Sequence, residues 1–557
     1  MNNKCTIGQF IGLLLGWATW LLCGCSDDFQ TVPSSEGDKT DILVSLKILP
    51  PGMESPLTRS VLDPIGDEYE LSTTEAEHRI NTLTLIMMDV DNGKETFESS
   101  QTIIAPPKEG DTPYNVTFEL KGISGTKRFY LGANMRDEHR KAFETDQRIF
   151  NADESSDGHN IVGSLMTVNH ENDGEGSDIL MTAAITTNKG SRDIVFDGTE
   201  GSEIKIDNPV KLVRTVAKVL LTCVATNREG EYYVEVIDQQ DINKGNKENT
   251  GWIKLDNVNY MLNVLNRKTY MDYREERTGE NAYLTDPNYA MSDFIEHRIN
   301  GGGYGLKDLA NYQANFLYYD TQQMVEMLQE TKGERCITRK ATLFEESKVN
   351  KNDQSHYTEG LYCPENMVSN DMPKIPAETF ASVNRFVTTH VMVGAKYTPK
   401  KIWVVNEEGT LEQKIAESED KALELLNEDL TGTEYLPGTF WQGNDKKYYS
   451  LSGMRKQLQD KPDTEFNRYD GGWGYYYTYI DGEANDKGTI DYADETRWGI
   501  KRNHYYILKV NQFVAPGSAF PGNEVMRIHS ELIDWKDKGS SEVEIKVPQN
   551  SEKEVQQ

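Results

Sequence analysis

Apolar side chains recur at every second position along much of this chain, in short runs that stop at turn-forming residues. A period of two puts alternate side chains on opposite faces of an extended backbone, so each run is built to bury one face of a sheet. The first run is Ile42 to Leu49, with Ile42, Val44, Leu46 and Ile48 on one face. Pro50-Pro51-Gly52 stops it, because proline cannot donate to a ladder. Asn81–Val90 and Thr96–Ile104 flank Asp91-Asn92-Gly93, and Asn-Gly suits a two-residue hairpin because both central positions need positive φ. Val116–Leu120, Arg128–Ala133, Ile194–Phe196 and Glu203–Ile206 follow. Lys211–Val224 reads as one long strand after the turn-like Asp207-Asn208-Pro209. Trp252–Leu265, Phe386–Tyr397, Lys401–Val405, Gly474–Ile480, His504–Val510, Val525–Ile533 and Glu542–Val547 continue the pattern. Between Asn266 and Ala381 the alternation fades, and Asp308–Tyr319 and Gln322–Thr331 take helical spacing instead. Strands joined by turns predict an all-β chain of antiparallel sheets, and 557 residues exceed what one core serves. Two β-sandwiches with a boundary near residue 209 are expected.

The opening of the chain has a different character. Lys4 precedes an apolar run from Phe10 to Cys23, a charged and then an apolar region too short and too early to span a bilayer. Leu22-Cys23-Gly24-Cys25 resembles a lipobox, which makes Cys25 the expected lipidation site; Cys23 is the other candidate, preceded by leucines where small residues are wanted. Acyl chains embed at about 0.8 kcal/mol per methylene, enough to hold an attached domain on a membrane. Ser26-Asp27-Asp28 resembles an acidic export tag for the outer face of an outer membrane. A formal net charge of −31 argues against a nucleic-acid partner, whose backbone demands a basic face. Beyond Cys25 only Cys223, Cys336 and Cys363 remain, too few for a disulfide framework; Cys223 falls in a strand pattern, and Cys336 with Cys363 is left open as a pair or as free thiols.

A search for catalytic or metal-binding patterns finds none that carries chemistry. The 9 histidines form no H-E-x-x-H or H-x-H pattern, and His390 falls in a strand as a packing residue. Asp89-Val90-Asp91-Asn92-Gly93 has its glycine one place too early for a calcium loop. Gly301-Gly302-Gly303-Tyr304-Gly305 lacks the ending of a phosphate loop, and no nucleophile elbow occurs. Trp473–Tyr479 is the one candidate binding surface, since strand aromatics that face solvent stack on sugars. The expectation is a structural or binding protein, not an enzyme, with no cofactor and no metal.

Six places taken in order resemble the short-fimbria (minor) fimbrillin family, the shaft pilins of type V pili. They are the lipobox at Cys25, the strand Ile42–Leu49 with its polar loop, INTLTLIMMD at Ile80–Asp89, VRTVAKVLL at Val213–Leu221, Phe440-Trp441-Gln442, and KRNHYYILKV…MRIHSELIDW ending at Trp535. The resemblance implies two tandem transthyretin-like β-sandwiches, the second with an irregular, short-helix insertion at about 266–381. In these terms 1–24 is a lipoprotein signal peptide, 25–59 a propeptide with a removable strand, 60–208 the N-terminal sandwich, 209–547 the C-terminal sandwich with a donor strand, and 548–557 a tail.

The resemblance also implies a mechanism. An arginine-specific protease cuts the surface lipoprotein, and Arg59-Ser60 in Ser55-Pro56-Leu57-Thr58-Arg59-Ser60 is the matching bond; Arg79 is the runner-up, but Ile80 at once opens the next strand. Loss of Ile42, Val44, Leu46 and Ile48 leaves a groove that another subunit's strand fills. The donor residues expected are Val525, Arg527 and His529, and in a second run Val543, Ile545 and Val547, with Trp535 between them. The implied partners are other copies of the chain and related pilins, the protease, and a membrane held by the lipid before cleavage. The implied setting is the outer membrane and then a fimbria supporting adhesion and biofilm formation. The alternative is a monomeric surface lipoprotein that binds glycans or host protein through Trp473–Tyr479.

Overall fold

A computed structural model describes residues 39–49, 79–105, 114–144, 149–151, 179–187, 190–238, 248–271, 275–278, 281–284, 295–297, 304–306, 308–329, 338–345, 360–366, 388–480, 500, 502–503, 505–521 and 528–534. Its first strands, in chain order, are β1 (Thr40–Leu49), β2 (Thr82–Asp91), β3 (Lys94–Ile104), β4 (Tyr114–Gly122), β5 (Gly125–Ala133), β6 (Ile149–Asn151), β7 (Met181–Ala184), β8 (Ile194–Phe196), β9 (Ser202–Lys211), β10 (Val213–Arg214) and β11 (Val216–Cys223). The Asn-Gly hairpin forms as the sequence indicates, with Asn92 and Gly93 at φ 52° and 82° and Asp91 opposite Lys94.

Strands β1–β5 and β7–β10 make a sandwich. A three-stranded sheet in the order β4-β1-β9 faces a six-stranded sheet in the order β10-β7-β5-β2-β3, with β8 alongside β5. Ile42, Val44, Leu46 and Ile48 meet Leu83, Leu85, Met87, Phe118, Phe129 and Leu131 in the core between them. β2 and β5 are buried on both sides: Ile86, Met88 and Tyr130 point the other way and join a second core. That double burial is why the apolar run at Ile86-Met87-Met88 has no clean alternation.

The run read as one strand from Lys211 to Val224 is divided at Thr215. The Thr215 N–H and hydroxyl both donate to the Leu180 carbonyl, at 3.0 and 3.1 Å, which turns the chain out of the first sandwich. The first sandwich therefore keeps the chain as far as Arg214, where β10 pairs with β7. β11, buried at every residue, then enters a nine-stranded sheet, in which it pairs in parallel with the strand Tyr505–Ala515. Facing that sheet is one of four strands: Thr338–Lys340, Val258–Asn263, His390–Lys396 and Trp473–Tyr479. The expectation of purely antiparallel sheets is corrected, since β1–β9 and β11–Tyr505–Ala515 are parallel. Period-two alternation reports burial and says nothing of strand direction.

Two short helices, Leu309–Asn315 and Thr321–Gln329, stand where helical spacing indicated them. A further unit was not anticipated. Between the neighbouring strands His390–Lys396 and Trp473–Tyr479, a five-stranded sheet with helices Glu419–Asn427 and Leu451–Asp460 is inserted. Ser418 and Ser450 cap those helices by accepting from the Lys421 and Gly453 N–H groups. Gly453 lets the second helix press on the sheet, because a Cβ there would lie 2.2 Å from the Trp403 carbonyl oxygen.

The two sandwiches are joined by more than the connecting chain. β6 pairs antiparallel with Lys268–Tyr270, and the Arg214 guanidinium donates to Asn503 Oδ1 at 3.0 Å. Among the described residues no helix is long and apolar enough to cross a membrane.

Candidate functional site: the slot filled by β1

β1 is the middle strand of its sheet, held by ladders on both sides. It runs antiparallel to β4, with Ile42 opposite Leu120 and Leu46 opposite Val116, and parallel to β9, with Val44 opposite Ile204. Ile42, Val44 and Ile48 are fully buried and Leu46 is 3% exposed. At ~1.5–3 kcal/mol for each such side chain, their burial is worth on the order of ten kcal/mol before ordering costs. The outward face is polar and lightly held. The Ser45 hydroxyl lies 2.9 Å from the Thr117 hydroxyl and donates to Glu203 at 2.8 Å, and Asp41 pairs with Lys121 at 3.6 Å. That Ser45 hydrogen bond, with Lys205 adding to it, holds the Glu203 carboxyl below its ordinary range. Apolar packing inside, not charge outside, fixes β1 in place. Without it, β4 and β9 would face each other across a gap lined by Phe118, Leu83 and Leu85.

Cys25, Arg59 and Ser60 lie outside the described residues, as do Cys336, Val525, Arg527, Val543, Ile545 and Val547. Arg79 is tied into the fold. Its carbonyl accepts from Asn134 Nδ2 at 2.8 Å, the Asn81 N–H donates to Asn134 Oδ1 at 2.9 Å, and Ile80 is 8% exposed. A protease has little access to a peptide held on both sides in this way.

His529 is not free. It sits in the strand Ile528–Asp534, opposite Gln512, at the edge of the chain's own second sandwich. The donor segment read from Val525 to His529 is thus divided, with His529 already paired in its own sheet. The sequence signal was sound for a strand but could not say whose sheet the strand joins.

The solvent-facing tyrosines expected in Trp473–Tyr479 are corrected. Tyr475, Tyr476 and Tyr477 are all buried. Tyr475 and Tyr477 pack with Met261, Met324, Leu328 and Met392 beneath the helix Thr321–Gln329, and Gln329 donates to the Tyr475 hydroxyl at 2.7 Å. Helical spacing in the insertion produced the lid, but nothing local in the sequence says what it covers. His390 packs edge-on against Tyr477 with Nδ1 2.9 Å from the Thr388 carbonyl, a core role. Cys223 and Cys363 are free, buried thiols, and burial pushes both well above the ordinary range. Among the described residues no group of His, Cys, Asp and Glu is placed to hold a metal.

Two charged groups escaped the sequence reading. Lys127 is fully buried and bonds Asp89 and Glu98, both at 2.6 Å. Its parity with Phe129 and Leu131 puts it on the inward face, which was the available signal. His139 is buried beside Phe143, and burial, with Arg136 adding to it, pushes its imidazole from 6.5 down to about 4. A depressed folded value means that the unfolded chain takes up the proton first. Stability from this group is therefore full above the ordinary histidine value and is lost as pH falls towards 4. The loss should reach at most roughly 3 kcal/mol. Urea midpoints between pH 7 and 4 should fall more steeply for wild type than for His139→Gln; parallel curves would exclude this role.

Residues 467–555 match the family described as "Major fimbrial subunit protein type IV, Fimbrillin, C-terminal". No curated protein matches the chain. Among solved structures the chain is similar to a fimbrillin (FimA) from Porphyromonas gingivalis W83, at 13% identity over 89% of this chain and 96% of that one, with a TM-score of 0.38. It is also similar to the tip fimbrial protein Mfa3 of Porphyromonas gingivalis with a C-terminal truncation, at 11% identity over 89% of this chain and 100% of that one, with a TM-score of 0.31. The fimbrillin resemblance carried by the sequence motifs is met by the family match over the C-terminal region.

Proposed function

We propose that this chain, whose C-terminal region is that of the fimbrillins, is a structural subunit of a surface fimbria. It is exported as a lipoprotein on Cys25, cut after Arg59, and polymerised by donor-strand exchange on the cell surface, where the fibre supports adhesion and biofilm formation. The observation that carries this reading is the position of β1: a strand with a wholly apolar inner face, central in its sheet, at the start of the chain. A strand in that place leaves two facing ladders unpaired when it goes, and unpaired ladders recruit another strand. Val543, Ile545 and Val547 of a neighbouring copy supply the alternating face the slot needs. The fixed Arg79 peptide favours the loop bond Arg59-Ser60 for cleavage. An outer-membrane lipid anchor holds the precursor until that cut.

Purified precursor treated with an arginine-specific protease should give a heat-resistant ladder on gels, with a mature N-terminus at Ser60. Arg59→Ala precursor should stay monomeric under the same treatment, while Arg79→Ala should form the ladder as wild type does. An Arg59→Ala ladder equal to wild type would overturn the processing step. The rival, a monomeric binder using Trp473–Tyr479, loses its motivation with the burial of those tyrosines.

A further inference from the structure

The inward face of β3 is polar where that of its neighbour β2 is apolar. Ser99 and Gln101 stand opposite Met87 and Leu85 and so share their inward-facing side of the sheet. The register slips between Met87 and Met88, whose partners are Ser99 and Phe97, so Glu98 is the extra residue of a bulge. A bulge re-aims the side chain it carries. Glu98 turns towards the end of β4, where its Oε1 accepts at 2.7 Å from the N–H of Ile123, the residue that follows the strand. Gln101 does the same one stretch along, accepting from the Glu119 N–H at 2.6 Å. The Glu119 N–H lies on the edge of β4 that β1 does not use, because the residues of β4 alternate in the direction of their ladder bonds, and the Ile123 N–H lies one residue past the end of that edge. The Glu98 carboxylate is itself pinned by Lys127 at 2.6 Å, the fully buried cation that Asp89 also holds.

Buried ion pairs contribute little to stability compared with apolar packing, so this one needs another reason to be there. We propose that Gln101 and Glu98 are edge guards: they occupy the outer edge of β4, so that a second copy's tail cannot add alongside β4 while β1 is in place. The inference rests on the fimbrial reading for its occupant. It goes further in assigning the block on premature addition to two side chains, separately from the plug itself. β1 closes the middle of the sheet, and the guards close its β4 side. Gln101 needs only an oxygen acceptor to do this, so glutamate should replace it and alanine should not.

The test uses the uncleaved full-length chain with β1 in place and a synthetic peptide of residues 541–547 as probe. Wild type and Gln101→Glu should remain monomeric and bind no peptide. Gln101→Ala should bind the peptide and form dimers at least about tenfold more readily, the change expected when a ladder hydrogen bond is made available. Hydrogen exchange over β4 should rise in Gln101→Ala and fall again when peptide is added. The variant Gln101→Ala with Glu98→Ala should go further; Gln101→Ala alone keeps the test alive if loss of the Lys127 partner unfolds that double variant. If Gln101→Ala behaves as wild type while protease-treated wild type still forms its ladder, the guards are refuted and the fimbrial reading stands. If treated wild type never forms a ladder, the fimbrial reading fails, and peptide capture by Gln101→Ala but not by Gln101→Glu still decides for the guards.

Discussion

Precursor carrying Val44→Asp is expected to open its slot with no protease present. Val44 is fully buried at the middle of β1, facing the core formed with Leu85, Phe118 and Phe129. A carboxylate there has no cation placed to meet it, since Lys127 already holds Asp89 and Glu98. A buried, unpaired charge belongs to the short list of changes that cost more than about 4 kcal/mol. On the fimbrial proposal β1 avoids that penalty at least cost, by leaving the sheet as a unit while the facing sheet stays folded. Hydrogen exchange should show β1, β4 and β9 losing protection together, with the strand Tyr505–Ala515 unchanged. At high concentration the variant should polymerise slowly without cleavage, because the slot is open although the plug is still tethered. Acid should reduce the effect by protonating the new aspartate. If β1 keeps its protection in the variant, the strand is not the separable plug that the fimbrial reading requires.

The strand β1 was legible because its inner face is a strict alternation, Ile42-Val44-Leu46-Ile48, with proline directly behind it. Central placement in the sheet was not legible. β9, its parallel neighbour, lies far along the chain and carries a polar outer face, and no local pattern couples the two. The hairpin at Asn92-Gly93 was readable for the same reason as β1, since a single backbone requirement selects those residues. The inserted unit with Ser418- and Ser450-capped helices was missed for the opposite reason. Ala422 and Leu426 on one helix, and Leu451 and Gln457 on the other, are short stripes interrupted by charge, and they lie between strand signals that drew the reading towards β.

The aromatic strand shows the limit most clearly. Tyr475 and Tyr477 sit where alternation puts them, on the face opposite Tyr476, yet that face is covered by a helix from the irregular insertion. Sequence periodicity assigns a residue to a face; only tertiary packing decides whether that face meets solvent. The guards Gln101 and Glu98 are invisible for a related reason. A bulge slips the register of β3, and no residue type marks where that slip falls.

Glu365→Ala is the second large expected loss, about 3–5 kcal/mol, because it would strand a buried guanidinium. Arg502 is 2% exposed and donates Nε to Glu365 Oε2 at 2.9 Å and Nη2 to the Tyr270 carbonyl at 2.9 Å. Tyr270 ends the short strand Lys268–Tyr270 that pairs with β6 in a separate two-stranded sheet. The ion pair therefore sits directly behind the two-stranded sheet that joins a strand preceding β7 to one that follows β11. Urea unfolding of Glu365→Ala should show the lowered midpoint, and exchange should rise first over Lys268–Tyr270. Replacing both partners, Glu365→Leu with Arg502→Met, should recover most of the stability, since no charge is then left unpaired. The recovered protein should still exchange faster over Lys268–Tyr270, because methionine offers no donor to the Tyr270 carbonyl. A Glu365→Ala midpoint equal to wild type would mean that Arg502 is satisfied without the Glu365 carboxylate, and that the ion pair takes no part in holding Lys268–Tyr270 in place.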